Sequence, residues 1–177
     1  MLHHLSLQEI AACIEDLKGS PRDEGRLDYI VLRPGIDRRT ELQEAELSPE
    51  EGLFGDRWSK EENPDRDTQI SVINSRFLRA IAGEEERMLL SGDNLIIDLD
   101  LSEENMPTGT RVRIGTAILE VTWHPHNGCS KFKHRFGADA MQTVNSETMK
   151  QMRLRGLFMT IIEGGKVRVG DLVTKLP

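Results

Sequence analysis

Three of the chain's five histidines and one of its two cysteines fall in a single short stretch, HPHNGCSKFKHRFG, residues 124 to 137. Cysteine chemistry depends on the thiolate, and a free thiol with a pKa of about 8.5 is mostly protonated at neutral pH. The neighbours of Cys129 oppose that: Lys131, Lys133, His134 and Arg135 follow within two helical turns, and nearby positive charge pulls a thiol pKa down. Pro125 blocks simple continuation of the preceding AILEVTW strand, so the segment is expected to be a strand-end loop leading into a helix. With Asn127 as cap of a segment starting near Gly128, Cys129 would fall in the first helical turn, where free amides and the dipole favour an anion.

Three readings of this loop stand side by side. Cys129 is a packed core thiol with surface histidines around it; or His124, His126, Cys129 and His134 ligate zinc in an H-x-H-x2-C-x4-H array, a spacing that matches no common finger; or Cys129 is a single reactive thiolate that acts as nucleophile, sulfur carrier or metal ligand. Residue types and spacing leave the choice open.

The bulk composition bounds the rest. A chain of 177 residues suits one domain with one core. A net charge of -7 argues against general affinity for nucleic acid, which needs a basic face. No apolar run is long enough to cross a bilayer, and the N-terminus lacks both a basic leader and a cleavage site, so a cytoplasmic location without membrane attachment is expected. Cys13 and Cys129 are the only cysteines and no CxxC occurs, which rules out a disulfide scaffold. Cys13 falls on the apolar stripe of a helix and is expected to be a small buried hydrophobe.

The elements that must position the thiol are mostly strands. Ser6 to Glu9 reads as a capping box, and Leu7, Ile10, Cys13, Ile14 and Leu17 recur at helical spacing until Gly19-Ser20-Pro21. LDYIVLRP, ELQEAEL and QISVI read as strands, with a basic GIDRR loop after the first and a glycine corner at SPEEGLFGDRW. Asn74 caps a helix, SRFLRAIA, closed by Gly83. NLIIDLDL, TRVRIG and AILEVTW follow as antiparallel strands. Asn145-Ser146 is expected to restart a helix, and LFMTIIE, a Gly164-Gly165 turn with positive φ, and KVRVGDLVTKL form a terminal hairpin with an adjoining strand. The fold expected is mainly β with helical insertions: a helical extension over 1–24, then a β-barrel domain over 25–177.

Four segments in this order resemble the MOSC domain, the module found at the C-terminus of molybdenum cofactor sulfurases and as stand-alone bacterial proteins. They are GLFGDRW, GDNLIIDLDL with TGTRVRIGTAILEVT, the GC-x5-RFG stretch, and RGLFMTIIEGGKVRVGD. The resemblance implies a β-barrel and a cysteine, here Cys129, that carries sulfur or ligates molybdenum of a pterin-based cofactor. In related enzymes that ligation serves reduction of N-hydroxylated compounds. It further implies an oxidoreductase or sulfurtransferase, with a cysteine desulfurase or a flavin or iron-sulfur electron donor as partner and a small-molecule substrate; no pyridoxal phosphate is expected in this chain. Arg135, Arg153, Arg155, Asn94, Asn127 and Lys131 are the candidates for holding the cofactor. Two positions depart from the family pattern: Trp58 stands where His often follows GDR, and Asp93 where Glu is common.

Overall fold

The structure, a computed structural model, describes residues 3–177. Its strands are β1 (Glu24–Leu32), β2 (Thr40–Leu42), β3 (Glu44–Ser48), β4 (Gly52–Leu53), β5 (Ile70–Asn74), β6 (Leu95–Asp98), β7 (Arg111–Ile114), β8 (Ala117–Val121), β9 (Leu157–Glu163), β10 (Gly165–Arg168) and β11 (Leu172–Lys175). The helices are α1 (Leu7–Leu17), α2 (Ser75–Ala82), α3 (Glu85–Met88), α4 (Ser130–Phe136) and α5 (Ala138–Asn145). Strands run β11-β7-β8-β9-β5-β6-β1, and β11 pairs back onto β1 through Glu24↔Thr174, Gly25↔Val173 and Arg26↔Leu172, which closes a barrel. β2 hangs on the outer half of β1, and β10-β3-β4 form a separate small sheet.

Alternation along the strands sorts side chains into two apolar layers. Ile70 and Val72 of β5 and Leu95 and Ile97 of β6 fill the barrel with Leu27, Ile30, Leu119 and Met159. Ile73, Ile96 and Val31 point the other way and join Ile10, Ile14, Phe77, Leu78, Phe132, Phe136 and Ala140 in a helical layer. A register shift between Leu27 and Tyr29 lets both Leu27 and Ile30 face inward although three positions separate them. Helix α1 lies in the outer layer, with Ser6 and Glu9 forming the expected reciprocal cap. The Asn74 side chain caps α2 by accepting from the Arg76 and Phe77 amides, while its amide donates to Ser20 and the Leu99 carbonyl.

Three expectations are corrected. Of the three strands expected to follow one another antiparallel, β7 and β8 do pair so, but β6 pairs with β1 and, in parallel, with β5, the crossover from β5 running through α2 and α3. β9 and β10 form no hairpin: β10 pairs with β3, and neither Gly164 nor Gly165 has positive φ. These glycines are required for close approach instead, since a Cβ on Gly165 would lie 2.5 Å from Thr116 backbone and one on Gly164 2.8 Å from the Leu47 carbonyl oxygen. Asn145 ends α5 and starts no helix; only a 3-10 turn, Lys150–Met152, follows.

A buried ion pair fixes the corner after β4. Arg33 donates through Nε and Nη2 to the two oxygens of Asp56 at 3.0 and 2.9 Å, and Asp56 also accepts from the amides of Arg33 and Trp58 and from the side chain of Asn94. Burial alone would raise the Asp56 carboxyl; the Arg33 guanidinium and the two amides outweigh it and hold the group below its ordinary 3.8. A carboxyl depressed in the folded state contributes stability above its unfolded pKa and loses it as pH falls through the folded value. Asp56→Ala is expected to destabilise by about 3–5 kcal/mol in urea, since it leaves a guanidinium buried without its carboxylate. Acid titration should show a weaker fall in stability below pH 3.8 for the variant than for the wild type.

Candidate functional site

One end of the barrel gathers polar residues from several strand ends: Arg33 after β1, Asp93 and Asn94 before β6, His126 in the loop after β8, and Arg155 before β9. Asp93 is fully buried, and Nη1 of Arg155 lies 3.0 and 2.8 Å from its two oxygens. Nη2 of Arg155 donates to the Ser91 carbonyl, and the guanidinium sits 5.1 Å above the Phe132 ring of α4. Burial pushes the Asp93 carboxyl up, against the pull of Arg155 and the Ser91 hydroxyl. Nε2 of His126 stands 3.6 Å from Asp93 while its ring packs 4.2 Å from that of Phe158. Burial holds His126 well below its ordinary 6.5, and Arg155, Arg33 and His124 push it the same way, so the imidazole is neutral at pH 7.

Gly156 makes the turn from Arg155 into β9 with φ 102, and a Cβ there would meet the Val72 carbonyl oxygen at 2.0 Å. Glycine is therefore required twice over, for its backbone angle and for space.

Cys129 is exposed and is itself the N-cap of α4, one step before the first-turn position expected. That exposure removes the packed-thiol reading. Burial raises the thiol pKa, but the backbone amides of Phe132 and Lys131, with Arg155 and Arg135 beyond them, bring it below its ordinary 9.0. The loop is held from behind by Asn145, which accepts from the Gly128 amide at 2.9 Å and donates to the Gly128 carbonyl at 3.2 Å. A Cβ on Gly128 would come within 2.8 Å of the Val144 side chain and 2.9 Å of that of Met141, so a larger residue there has to displace them.

The mouth beside the thiol is cationic. Arg135 donates to the Leu90 carbonyl and to Asp37, and Lys131 donates to the same Asp37 oxygen. Arg39 lies across Gly92 from Arg135: a Cβ on that glycine would stand 3.3 Å from one guanidinium and 3.9 Å from the other. Burial pushes Arg39 down, and Arg135 and Arg57 add to the effect. Its Nε is buried without a hydrogen-bond partner. A partly buried guanidinium among other cations with an idle donor is suited to an anion from outside the chain.

The predicted residues divide accordingly. Arg135, Arg155 and the backbone of Lys131 surround Cys129. Asn94 is buried within the barrel end, its oxygen accepting from Ser71 and its amide donating to Val31 and Asp56, so all its polar capacity is spent inside the protein. Asn127 and Arg153 line a separate cavity of about 270 Å³ with His126 and Arg155. The four-ligand zinc array does not assemble: His126 is buried against Phe158, and no three His, Cys, Asp or Glu side chains come together as a metal site among the described residues. Cys13 is half-buried, a less complete burial than expected, and burial followed by Asp16 and Glu9 raises its pKa. Sequence reasoning missed Arg39 and Asn145; the basic GIDRR loop was the only signal for the first, and nothing local marked the second.

The sequence matches the MOSC domain over residues 43–174, and the chain belongs to that family. Solved structures similar in fold include that of YiiM from Escherichia coli, at 22% identity and a TM-score of 0.57, covering 86% of this chain and 70% of that one. YiiM from Geobacillus stearothermophilus is similar at 16% identity and a TM-score of 0.58, covering 86% and 75%. The YUAD protein from Bacillus subtilis is similar at 14% identity and a TM-score of 0.57, covering 85% and 94%. No match is found among curated protein sequences.

The two cysteines supply an internal comparison for the thiol. Iodoacetamide should alkylate Cys129 faster than Cys13 at pH 7, with a rate inflection below 9.0 for the first and above it for the second. Asn145→Ala, which frees the Gly128 backbone, should raise the Cys129 inflection by about half a unit, or threefold in thiolate at pH 7. An unchanged inflection would show that Asn145 does not position the sulfur.

Proposed function

We propose that this MOSC protein binds a pterin-based molybdenum cofactor and uses Cys129 as the thiolate ligand to the metal, in the reduction of N-hydroxylated compounds. The observation that carries this reading is an exposed thiol with its pKa lowered at a cationic barrel mouth, where no group of three His, Cys, Asp or Glu side chains forms a metal site among the described residues. One sulfur cannot hold a bare ion, so a metal placed here has to arrive with ligands of its own, and a soft deprotonated sulfur suits a polarisable transition metal. The idle Nε of Arg39, with Arg135 beside it, fits the anionic group such a cofactor carries.

When bound, the cofactor would supply the two electrons that, with two protons from solvent, convert an N–OH group to N–H and water, with an electron-donor flavin or iron-sulfur protein replenishing it. The chain's own contribution is positional. The Lys131 and Phe132 amides favour the anionic form of the sulfur. Asp93 fixes Arg155, whose charge lowers the thiol pKa. Arg39 and Arg135 orient the anion, and the neutral His126 imidazole walls the barrel side.

The exposure of Cys129 favours a second reading as a persulfide carrier. Its thiolate would attack the outer sulfur of a cysteine desulfurase persulfide, forming Cys129–S–SH and releasing the donor's thiolate, before passing that sulfur to a partner.

In a host that makes the cofactor, the wild type should purify with molybdenum, and Cys129→Ser with about tenfold less or lower. Arg39→Ala should reduce the metal content while leaving alkylation of Cys129 rapid. Equal metal in wild type and Cys129→Ser would remove the ligand role; a single added sulfur on the Cys129 peptide after incubation with a desulfurase would favour the carrier.

A further inference from the structure

A cavity lined by Arg155 but not by the thiol has features that sulfur chemistry does not use. It lies between the loop after β8 and the turn before β9, and Trp123, His126, Asn127, Lys150, Arg153 and Arg155 line it. Its charge is unbalanced. Arg155 is matched by Asp93, and Lys150 has Glu147 only at 3.9 Å, but Arg153 has no carboxylate within ion-pair distance among the described residues and donates only to the Met106 carbonyl. Glu103 is the sole carboxylate on the lining. Burial lowers the Arg153 pKa, the mark of a cation desolvated without full compensation.

Arg153 is also one of only two non-glycine residues with positive φ among the described residues, at 48°. Side chains other than glycine adopt that conformation at a cost, and such positions cluster where a ligand is held.

Two lining residues, His126 and Arg155, are nine-tenths buried in their side chains, and each keeps a buried nitrogen without a partner, Nδ1 and Nε. Buried polar atoms left without a partner are rare in folded proteins. The aromatic content gives the second half of the argument. Trp123 is 68% exposed yet anchored, its indole donating to Asp67 at 2.6 Å, and its ring continues through His124 to Phe158 and His126. A fixed, solvent-facing aromatic wall beside an uncompensated guanidinium suits a flat ring carrying a negative charge.

We infer that this cavity binds a small planar organic anion, an aromatic carboxylate in its simplest form, with Arg153 pairing with the carboxylate and Trp123 packing on the ring. The site does not require the cofactor reading, because none of its contacts involves Cys129.

The test uses purified protein labelled with nitrogen-15 and benzoate as probe. The two indole signals separate the outcomes, since Trp58 is buried in the core while Trp123 faces the cavity. Benzoate should shift the Trp123 indole and the Asn127 amide saturably and leave the Trp58 indole in place. Arg153→Gly accepts the same backbone angle without strain, which offsets the lost bond to the Met106 carbonyl, so it should melt close to wild type while binding benzoate about tenfold more weakly, as expected for loss of a charged hydrogen bond. Benzamide, flat but neutral, and inorganic phosphate, charged but without a ring, should both bind more weakly than benzoate. Cys129→Ser should bind benzoate like wild type. No saturable shift, undiminished binding in Arg153→Gly, benzamide equal to benzoate, or loss of binding in Cys129→Ser would each overturn the assignment.

Discussion

Charge buried in a protein interior has to be matched, and at one end of this barrel two guanidinium–carboxylate pairs meet that requirement side by side. Arg33 grips Asp56 and Arg155 grips Asp93, with Asn94 hydrogen-bonded between the first pair and the backbones of β1 and β5. Each pair joins segments far apart in sequence, so the ends of β1, β6 and β9 and the corner after β4 cannot move independently. Removing one charge would strand its partner in low dielectric, and that penalty makes the arrangement all-or-none.

The helical layer inherits its position from this plate. Phe132 of α4 lies under the Arg155 guanidinium, and Phe136 packs 5.0 Å from Phe132, so the helix that presents Cys129 is seated on the ion pair itself. The electrostatics of the sulfur follow from that seating. Its two amides come from α4, its nearest buried cation from the barrel end, and its backbone clamp from the end of α5. Two elements with different partners thus lower one pKa, and a third holds the backbone just before the sulfur.

Local signals in the sequence were read correctly where the interaction is local. The Ser6–Glu9 cap, the Asn74 cap with the α2 helix it starts, and the Pro125 break all depend on neighbours within a few residues. The lowering of the Cys129 thiol pKa is local in the same way, since Phe132, Lys131 and Arg135 contribute to it. What failed is non-local. Gly164-Gly165 resembles a hairpin turn, but its glycines answer to Leu47 and Thr116, which come together only when β10 joins β3. Asn94 opens a strand as a turn residue might, yet its amide is consumed by Asp56, 38 positions away. Arg39 looked like one charge in a basic loop, and only the approach of Arg135 across Gly92 makes it an unpaired cation.

The closure of the barrel through Glu24–Arg26 against Leu172–Thr174 has a consequence for folding. Among the described strands, β11 alone links β1 and β7. Until β11 docks, the Glu24–Arg26 half of β1 and one side of β7 are both open edges, and such edges invite pairing with other chains.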